Sequence, residues 1–230
     1  NETEIATGLN HLVEMGITHV QLLPIQKFDM DETCPEYNWG YMTANFFSPE
    51  GWYATAVEDD SRIRELKTLI QKLHDHNIGV VLDVVYNHTG VMNTLEKVAP
   101  GYYHRQKIDG SFWNGSGCGN EVFSESPMGR KMIIDSCKYW VKEYNVDGFR
   151  FDLMGLIDLE TMKMLRHELN QIRPGILLYG EPWTGGEAGL PHITDKYGVS
   201  GTGIGAFNDD YRNALKGEPE GPSNGYVQNA

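Results

Sequence analysis

Three acidic residues close apolar runs in this sequence. Asp83 follows Ile78-Gly79-Val80-Val81-Leu82, Asp152 follows Gly148-Phe149-Arg150-Phe151, and Glu181 follows Ile176-Leu177-Leu178-Tyr179-Gly180. Arg150 stands two residues before Asp152, so on an extended strand both side chains share a face. A guanidinium there would hold the Asp152 carboxylate ionised and aimed, as a nucleophile requires. Glu181 is followed by Pro182-Trp183, and an apolar, aromatic wall favours the protonated form that a general acid needs. One ionised and one protonated carboxyl make the pair that glycoside hydrolysis uses. Taken singly, an acid at a strand end is more often a helix cap, a loop anchor or a salt-bridge partner. Three on consecutive apolar runs, one with an arginine beside it, favour a shared site.

The elements that would position these acids repeat with a rhythm of amphipathic helix, short apolar strand and polar loop. Ile5, Leu9, Leu12, Val13 and Met15-Gly16 read as a helix ended by glycine, and His19–Pro24 as a strand stopped by proline. Ser61–His76 carries Ile63, Leu66, Leu69, Ile70 and Leu73 at helical spacing, which predicts an N-capped helix before the strand Ile78–Val85. Helices are expected over Met132–Tyr144, Asp158–Ile172 and Asp209–Lys216, with strands over Val146–Asp152, Ile176–Glu181 and Ile204–Phe207. This alternation means an α/β fold with parallel strands, whose carboxyl ends converge on one face if the sheet closes into a barrel. Residues 25–60 and 86–127 read as long loops rich in Trp, Tyr and Gly. Both follow strands, the side on which parallel α/β folds bind ligands, which favours function for loops of this length. Gly217–Ala230 reads as a loop.

Composition removes several other classes. With 19 Lys+Arg against 32 Asp+Glu the net charge is −13, the wrong balance for binding phosphates, so no nucleic-acid partner is expected. Mean hydropathy is −0.43 and no long uncharged apolar run exists, so no membrane partner is expected. The 5 Trp, 12 Tyr and 8 Phe suit a site that stacks on ring-shaped ligands. Cys34, Cys118 and Cys137 are too scattered for a disulfide framework and read as free thiols. Four histidines could suggest a metal site, His74, His76, His88 and His104. But His74 and His76 are two apart on a helix and do not share a face, so solvated surface rather than metal ligation is the reading in the absence of a ligand motif. The sequence begins at Asn1 with neither an initiator Met nor a signal-like segment, so the compartment stays open between cytoplasmic and secreted.

Four ordered motifs carry a resemblance. Asp83-Val84-Val85-Tyr86-Asn87-His88 resembles the first signature region of the alpha-amylase family of glycoside hydrolases, Gly148–Asp152 the second, and Gly180-Glu181-Pro182-Trp183 the third. Tyr37-Asn38-Trp39-Gly40-Tyr41 is similar to the pentapeptide that marks type I pullulanases and their debranching relatives. The stretches 114–120, 152–155 and 203–209 look like the same subgroup. The resemblance implies a (β/α)8 TIM barrel and α-glucan substrates such as pullulan, amylopectin or limit dextrins. It implies that Asp152 is the nucleophile of a retaining mechanism, Glu181 the acid and then base, and Arg150 the residue that orients the nucleophile. By the same resemblance Asp83 supports the site, His88 bonds the sugar in subsite −1, Tyr41 is the platform beneath it, and Trp39 and Trp183 line neighbouring subsites. No cofactor is implied as required. Calcium is left unassigned, with the Asn87 side chain and loop carbonyls as oxygen donors.

Two departures bear on that reading. The debranching pattern usually continues Asp-Pro after the pentapeptide, whereas Met42-Thr43 stand here. The family's third catalytic acid, an Asp following His, has no counterpart, because no His-Asp dipeptide occurs after Glu181. About five β/α units are readable, so residues 1–230 are expected to form one partial catalytic barrel, lacking the first strand and the last units, with little activity alone. The same motifs fit an isoamylase or a branching transferase, and a non-catalytic glucan-binding fragment fits the missing acid. Maltotriose release from pullulan separates debranching from transfer. Oligomeric state is not legible.

Overall fold

The expected alternation of strand and helix holds through most of the chain. The computed structural model describes residues 6–34, 36–218, 221 and 223–229, so Ile5 of the expected first helix lies outside the described residues. In chain order the elements are α1 (Gly8–Glu14), β1 (His19–Leu22), β2 (Gln26–Phe28), β3 (Thr43–Pro49), α2 (Ser61–Asp75), β4 (Gly79–Val84) and α3 (Met92–Val98). They continue with α4 (Pro127–Tyr144), β5 (Gly148–Phe151), α5 (Leu159–Ile172), β6 (Leu177–Gly180), β7 (Gly205–Ala206), α6 (Asp209–Lys216) and α7 (Tyr226–Asn229). Short 3-10 turns occupy Gly51–Tyr53 and Met154–Leu156.

Among the described residues β1, β4, β5, β6 and β7 form one parallel sheet in that spatial order, with β2 and β3 as a separate antiparallel pair. Each strand lies beside its predecessor in the sheet, the order of an incomplete (β/α)8 barrel, open at β1 and β7. β4 reads as an apolar run because it is covered on both faces; Val80, Leu82 and Val84 are fully buried. Phe149 and Phe151 of β5 continue that layer against Ile133, Cys137 and Trp140 of α4 and Leu165 and Leu169 of α5. The Trp140 indole N–H donates to the Phe46 carbonyl at 2.9 Å, tying the β2–β3 hairpin to the main core. None of the described helices is long and apolar enough to cross a membrane.

Several boundaries differ from expectation, each for a local reason. Residues 25–60 contain the β2–β3 hairpin, and residues 86–127 contain α3. α4 starts at Pro127 rather than Met132, since Ser126 accepts from the Gly129 N–H at 3.1 Å and proline suits the first turn. At α2 the Asp60 side chain caps no backbone N–H and accepts from Arg64 instead; Asp59 accepts from the Ser61 N–H at 2.8 Å. Asp158 caps α5 by accepting from the Thr161 N–H at 2.9 Å. The expected C-terminal loop includes the one-turn helix α7. His74 and His104 are not surface side chains. His74 is half-buried with Nε2 2.7 Å from Asp147, and His104 is fully buried between Glu96 and Thr89.

Candidate active site

Parallel register brings the three acids to one end of the sheet. Asp83 on β4 lies opposite Arg150 on β5, and Arg150 lies opposite Tyr179 on β6. Asp152 and Glu181 therefore both stand two residues past this level on neighbouring strands, at the carboxyl ends where a barrel assembles its site. The Arg150 guanidinium sits between them. Its Nη1 donates to Asp83 at 2.7 Å and to Asp152 at 3.0 Å, and its Nη2 pairs with Glu181 at 2.7 Å.

Each acid also has a donor of its own. The Tyr41 hydroxyl donates to Asp83 Oδ2 at 2.7 Å, and the Asn87 amide donates to Asp152 Oδ2 at 2.9 Å. The Leu153 N–H donates to Glu181 Oε2 at 2.8 Å. These contacts aim the carboxylates, and burial acts on the titration of Asp83 and Glu181. Burial pushes Asp83 up to about 6, against the pull of Arg150 and Tyr41. Burial also raises Glu181, with the Leu153 N–H and Arg150 opposing it. Where the sequence predicted only an apolar, aromatic wall beside Glu181, a guanidinium touches it as well as the Trp183 side. Arg150 is held above its ordinary value by the acids around it, which outweigh its own burial.

A cavity of about 380 Å³ opens over this cluster, lined among others by Tyr41, Met42, His88, Asp152, Glu181 and Trp183. His88 is buried, and burial lowers its basicity. Its Nδ1 lies 2.6 Å from the Asn87 oxygen while its Nε2 has no hydrogen-bond partner among the described residues, leaving one ring nitrogen for a ligand. Trp183 also lines a second cavity of about 320 Å³ with Arg150, Glu181, Phe207 and Arg212, so Glu181 and Trp183 stand between two openings. Trp39 is not brought to either cavity. It is exposed and packs edge-to-face on Tyr37 at 6.0 Å. Asn87 and Asp83 lie outside the lining of either cavity and contact Asp152 and Arg150 respectively. A larger cavity of about 550 Å³, lined among others by Leu22, Ile25, Tyr53, Arg62, Glu65 and Leu69, lies beside β1 and shares none of the three acids.

Asn87 does not fit a calcium role. Its oxygen faces His88 and its amide serves Asp152. Among the described residues no group of three His, Cys, Asp or Glu is placed to hold a metal ion.

Sequence reasoning missed several residues of this site. Ser116, Cys118 and Gly185 line the cavity with Asp152. Their loops are pinned by Glu121, fully buried, which accepts from the N–H groups of Gly115 at 3.0 Å and Gly189 at 2.7 Å. The resemblance of residues 114–120 marked that loop without assigning any residue in it. Met42, where the family pattern has Asp, lines the cavity too.

Comparison with known proteins agrees with this geometry. A family model described as alpha amylase, catalytic domain, matches residues 3–116. The chain is 44% identical over 222 residues to the pullulanase of Bacillus subtilis (strain 168), covering 92% of this chain and 31% of that protein. A pullulanase structure from Bacillus acidopullulyticus superposes with a TM-score of 0.94 at 50% identity, over 97% of this chain and 28% of that one. The pullulanase of Paenibacillus barengoltzii, solved in complex with maltohexaose and alpha-cyclodextrin, gives a TM-score of 0.88 at 46% identity, over 94% of this chain and 35% of that one. The chain spans about a third of the length of these relatives. With its signature motifs in order on the strand ends of a parallel (β/α) sheet, the chain belongs to the alpha-amylase family of glycoside hydrolases.

Proposed function

We propose that this chain carries the acid cluster of a debranching glycosidase that cleaves α-1,6 links of α-glucans with retention of configuration. One observation carries the reading: a single guanidinium, Arg150, contacts Asp83, Asp152 and Glu181 at a cavity that opens over the last two. Both carboxyls within one fork's reach suit a retaining mechanism, which uses a separation of about 5–5.5 Å rather than the wider gap of inverting enzymes. The pullulanase relatives, one of them bound to maltohexaose, support an α-glucan as the partner.

In this reading Asp152 attacks the anomeric carbon while Glu181 gives its proton to the departing glycosidic oxygen. The C–O bond to the aglycone breaks and a covalent glycosyl ester forms on Asp152. Glu181, now a carboxylate, takes a proton from water, whose oxygen attacks the same carbon and releases Asp152. Raised by burial, Glu181 is suited to hold the first proton. Asn87 and Arg150 hold both Asp152 oxygens and fix the angle of attack. Tyr41 offers an aromatic face and His88 an unpartnered ring nitrogen to the sugar.

The test is Asp152→Asn in the full-length protein. Turnover of pullulan should fall by about four orders of magnitude or more, while maltooligosaccharide binding persists. Normal turnover by that variant would end the assignment. Maltotriose as the product from pullulan supports debranching hydrolysis; chain transfer in its place would move the chain to the branching side of the family.

A further inference from the structure

Among the described residues three non-glycine residues have positive φ: Asn77, Asn145 and Leu153. Asparagine adopts the left-handed region with little strain, and both asparagines follow the last turn of a helix. Leu153, at φ 38° and ψ 51°, ends no helix and has no such excuse. It directly follows Asp152. What the strained turn achieves is local: it points the Leu153 N–H at Glu181 Oε2, 2.8 Å away. Two residues on, the Gly155 N–H donates to the Glu181 carbonyl at 3.0 Å. A Cβ on Gly155 would fall 2.4 Å from the Trp183 carbonyl oxygen, so the two segments touch backbone to backbone.

We infer that Leu153 is a positioning residue whose left-handed backbone clamps the Glu181 carboxyl and stabilises it as its proton leaves. The inference rests on the reading of Glu181 as the acid and base. Both Glu181 oxygens face donors at rest, Oε1 the Arg150 guanidinium and Oε2 the Leu153 N–H. An N–H bonds a carboxylate more strongly than a carboxylic acid. The Leu153 bond therefore strengthens while the proton passes to the departing oxygen, the differential stabilisation that speeds a step. It costs no reorganisation, because the strain of the turn has already placed the donor.

The charged groups facing Glu181 are Arg150 from β5 and Asp152 directly after it, with Arg212 and Asp209 from α6. The neutral side chains of Tyr41, His88 and Cys118 face the cavity on its other side. Of these neighbours, Arg150, Arg212 and the Leu153 N–H favour the charged form, whereas burial and Asp152 oppose it. Losing the N–H raises Glu181 further. A stronger hold on the proton moves the alkaline limb of the pH–rate profile upward and lowers kcat.

The experiment compares Leu153→Val, Leu153→Gly and Leu153→Asn in the full-length protein, reading kcat, KM and the pH dependence of kcat/KM on pullulan. Valine keeps an apolar side chain but resists the left-handed region, whereas glycine and asparagine accept it. Leu153→Val should lose about tenfold or more in kcat and shift the alkaline limb up by about half a pH unit, from loss of one charge-assisted hydrogen bond. Leu153→Gly and Leu153→Asn should keep the limb in place and lose less kcat than valine does. The reverse order, with glycine worst and the limb fixed in all three, would assign Leu153 a packing role and overturn the inference. Should the valine variant not fold, Leu153→Ile, β-branched but of full side-chain volume, takes its place: a limb shifted there and fixed in glycine and asparagine supports the inference, and a limb fixed in all three overturns it. Glu181→Gln with normal turnover would instead sink the reading of Glu181, a separate failure.

Discussion

Asp83→Asn tests whether the site holds a buried charge at a cost to the fold. The Asp83 side chain is 1% exposed, and burial pushes it up to about 6 from an ordinary 3.8, even with Arg150 and Tyr41 pulling the other way. A carboxyl with a folded pKa above its unfolded one binds its proton more tightly in the native state. Protonation therefore stabilises the fold at low pH, and that contribution is lost as pH rises through about 6. A separation of about two pH units, at about 1.4 kcal/mol per unit, makes the loss about 3 kcal/mol.

Asparagine has the shape of the neutral carboxyl. Its oxygen can accept from Arg150 and its amide can donate to the Tyr41 hydroxyl, so both contacts at 2.7 Å survive without the charge. Denaturant unfolding of both proteins from about pH 4 to about pH 8 should show the stability difference moving toward the variant by about 3 kcal/mol, mostly between pH 4 and 7. Activity should move the opposite way, since Arg150 loses one of the anions that orient it beneath Asp152. A stability difference that stays flat with pH, or that grows in favour of aspartate on raising pH, would refute the reasoning.

Two further outcomes follow from contacts around the same cavity. Gly155→Ala places a Cβ 2.4 Å from the Trp183 carbonyl oxygen, backbone against backbone; it should cost about 1–3 kcal/mol in unfolding experiments and lower kcat by moving Trp183 and Glu181. Of the cysteines, exposed Cys118 should react first with a maleimide in the native protein. Cys137, fully buried with its thiol pushed up to about 12, should react only on unfolding. Because Cys118 lines the cavity of Asp152 and Glu181, maltotriose should slow its labelling, as peptide mapping would show; an unchanged rate would separate that cavity from the glucan site.

The central strand β4 was legible because burial on both faces leaves one signature, an unbroken apolar run such as Val80–Leu82, and Asp83 was legible because it interrupts it. The start of α4 was less so. Pro127-Met128-Gly129-Arg130 has no apolar period, although Ser126-Pro127 is a usable start signal. The β2–β3 hairpin escaped because its register shifts twice within three residues, which destroys strict alternation. The left-handed turn at Leu153 left no trace at all, since nothing in the residue type favours it.

The largest gap lay in how charge is shared. Spacing along β5 paired Arg150 with Asp152, but its pairing with Asp83 and Glu181 depends on the register of β5 with both neighbours, a property no single strand encodes. One cation among three acids cannot by itself make them different. Their differences must come from the second donor that each receives from another part of the chain: Tyr41 from the β2–β3 loop to Asp83, Asn87 from the loop after β4 to Asp152, and Leu153 from the turn after β5 to Glu181. An amide side chain and a guanidinium hold Asp152, while a backbone N–H in a left-handed turn and the same guanidinium hold half-buried Glu181, which in the proposed mechanism takes and releases a proton. The family's motifs name the acids; the roles divide at the donors, and only Tyr41 and Asn87 of the three lie in segments whose residue type announces them.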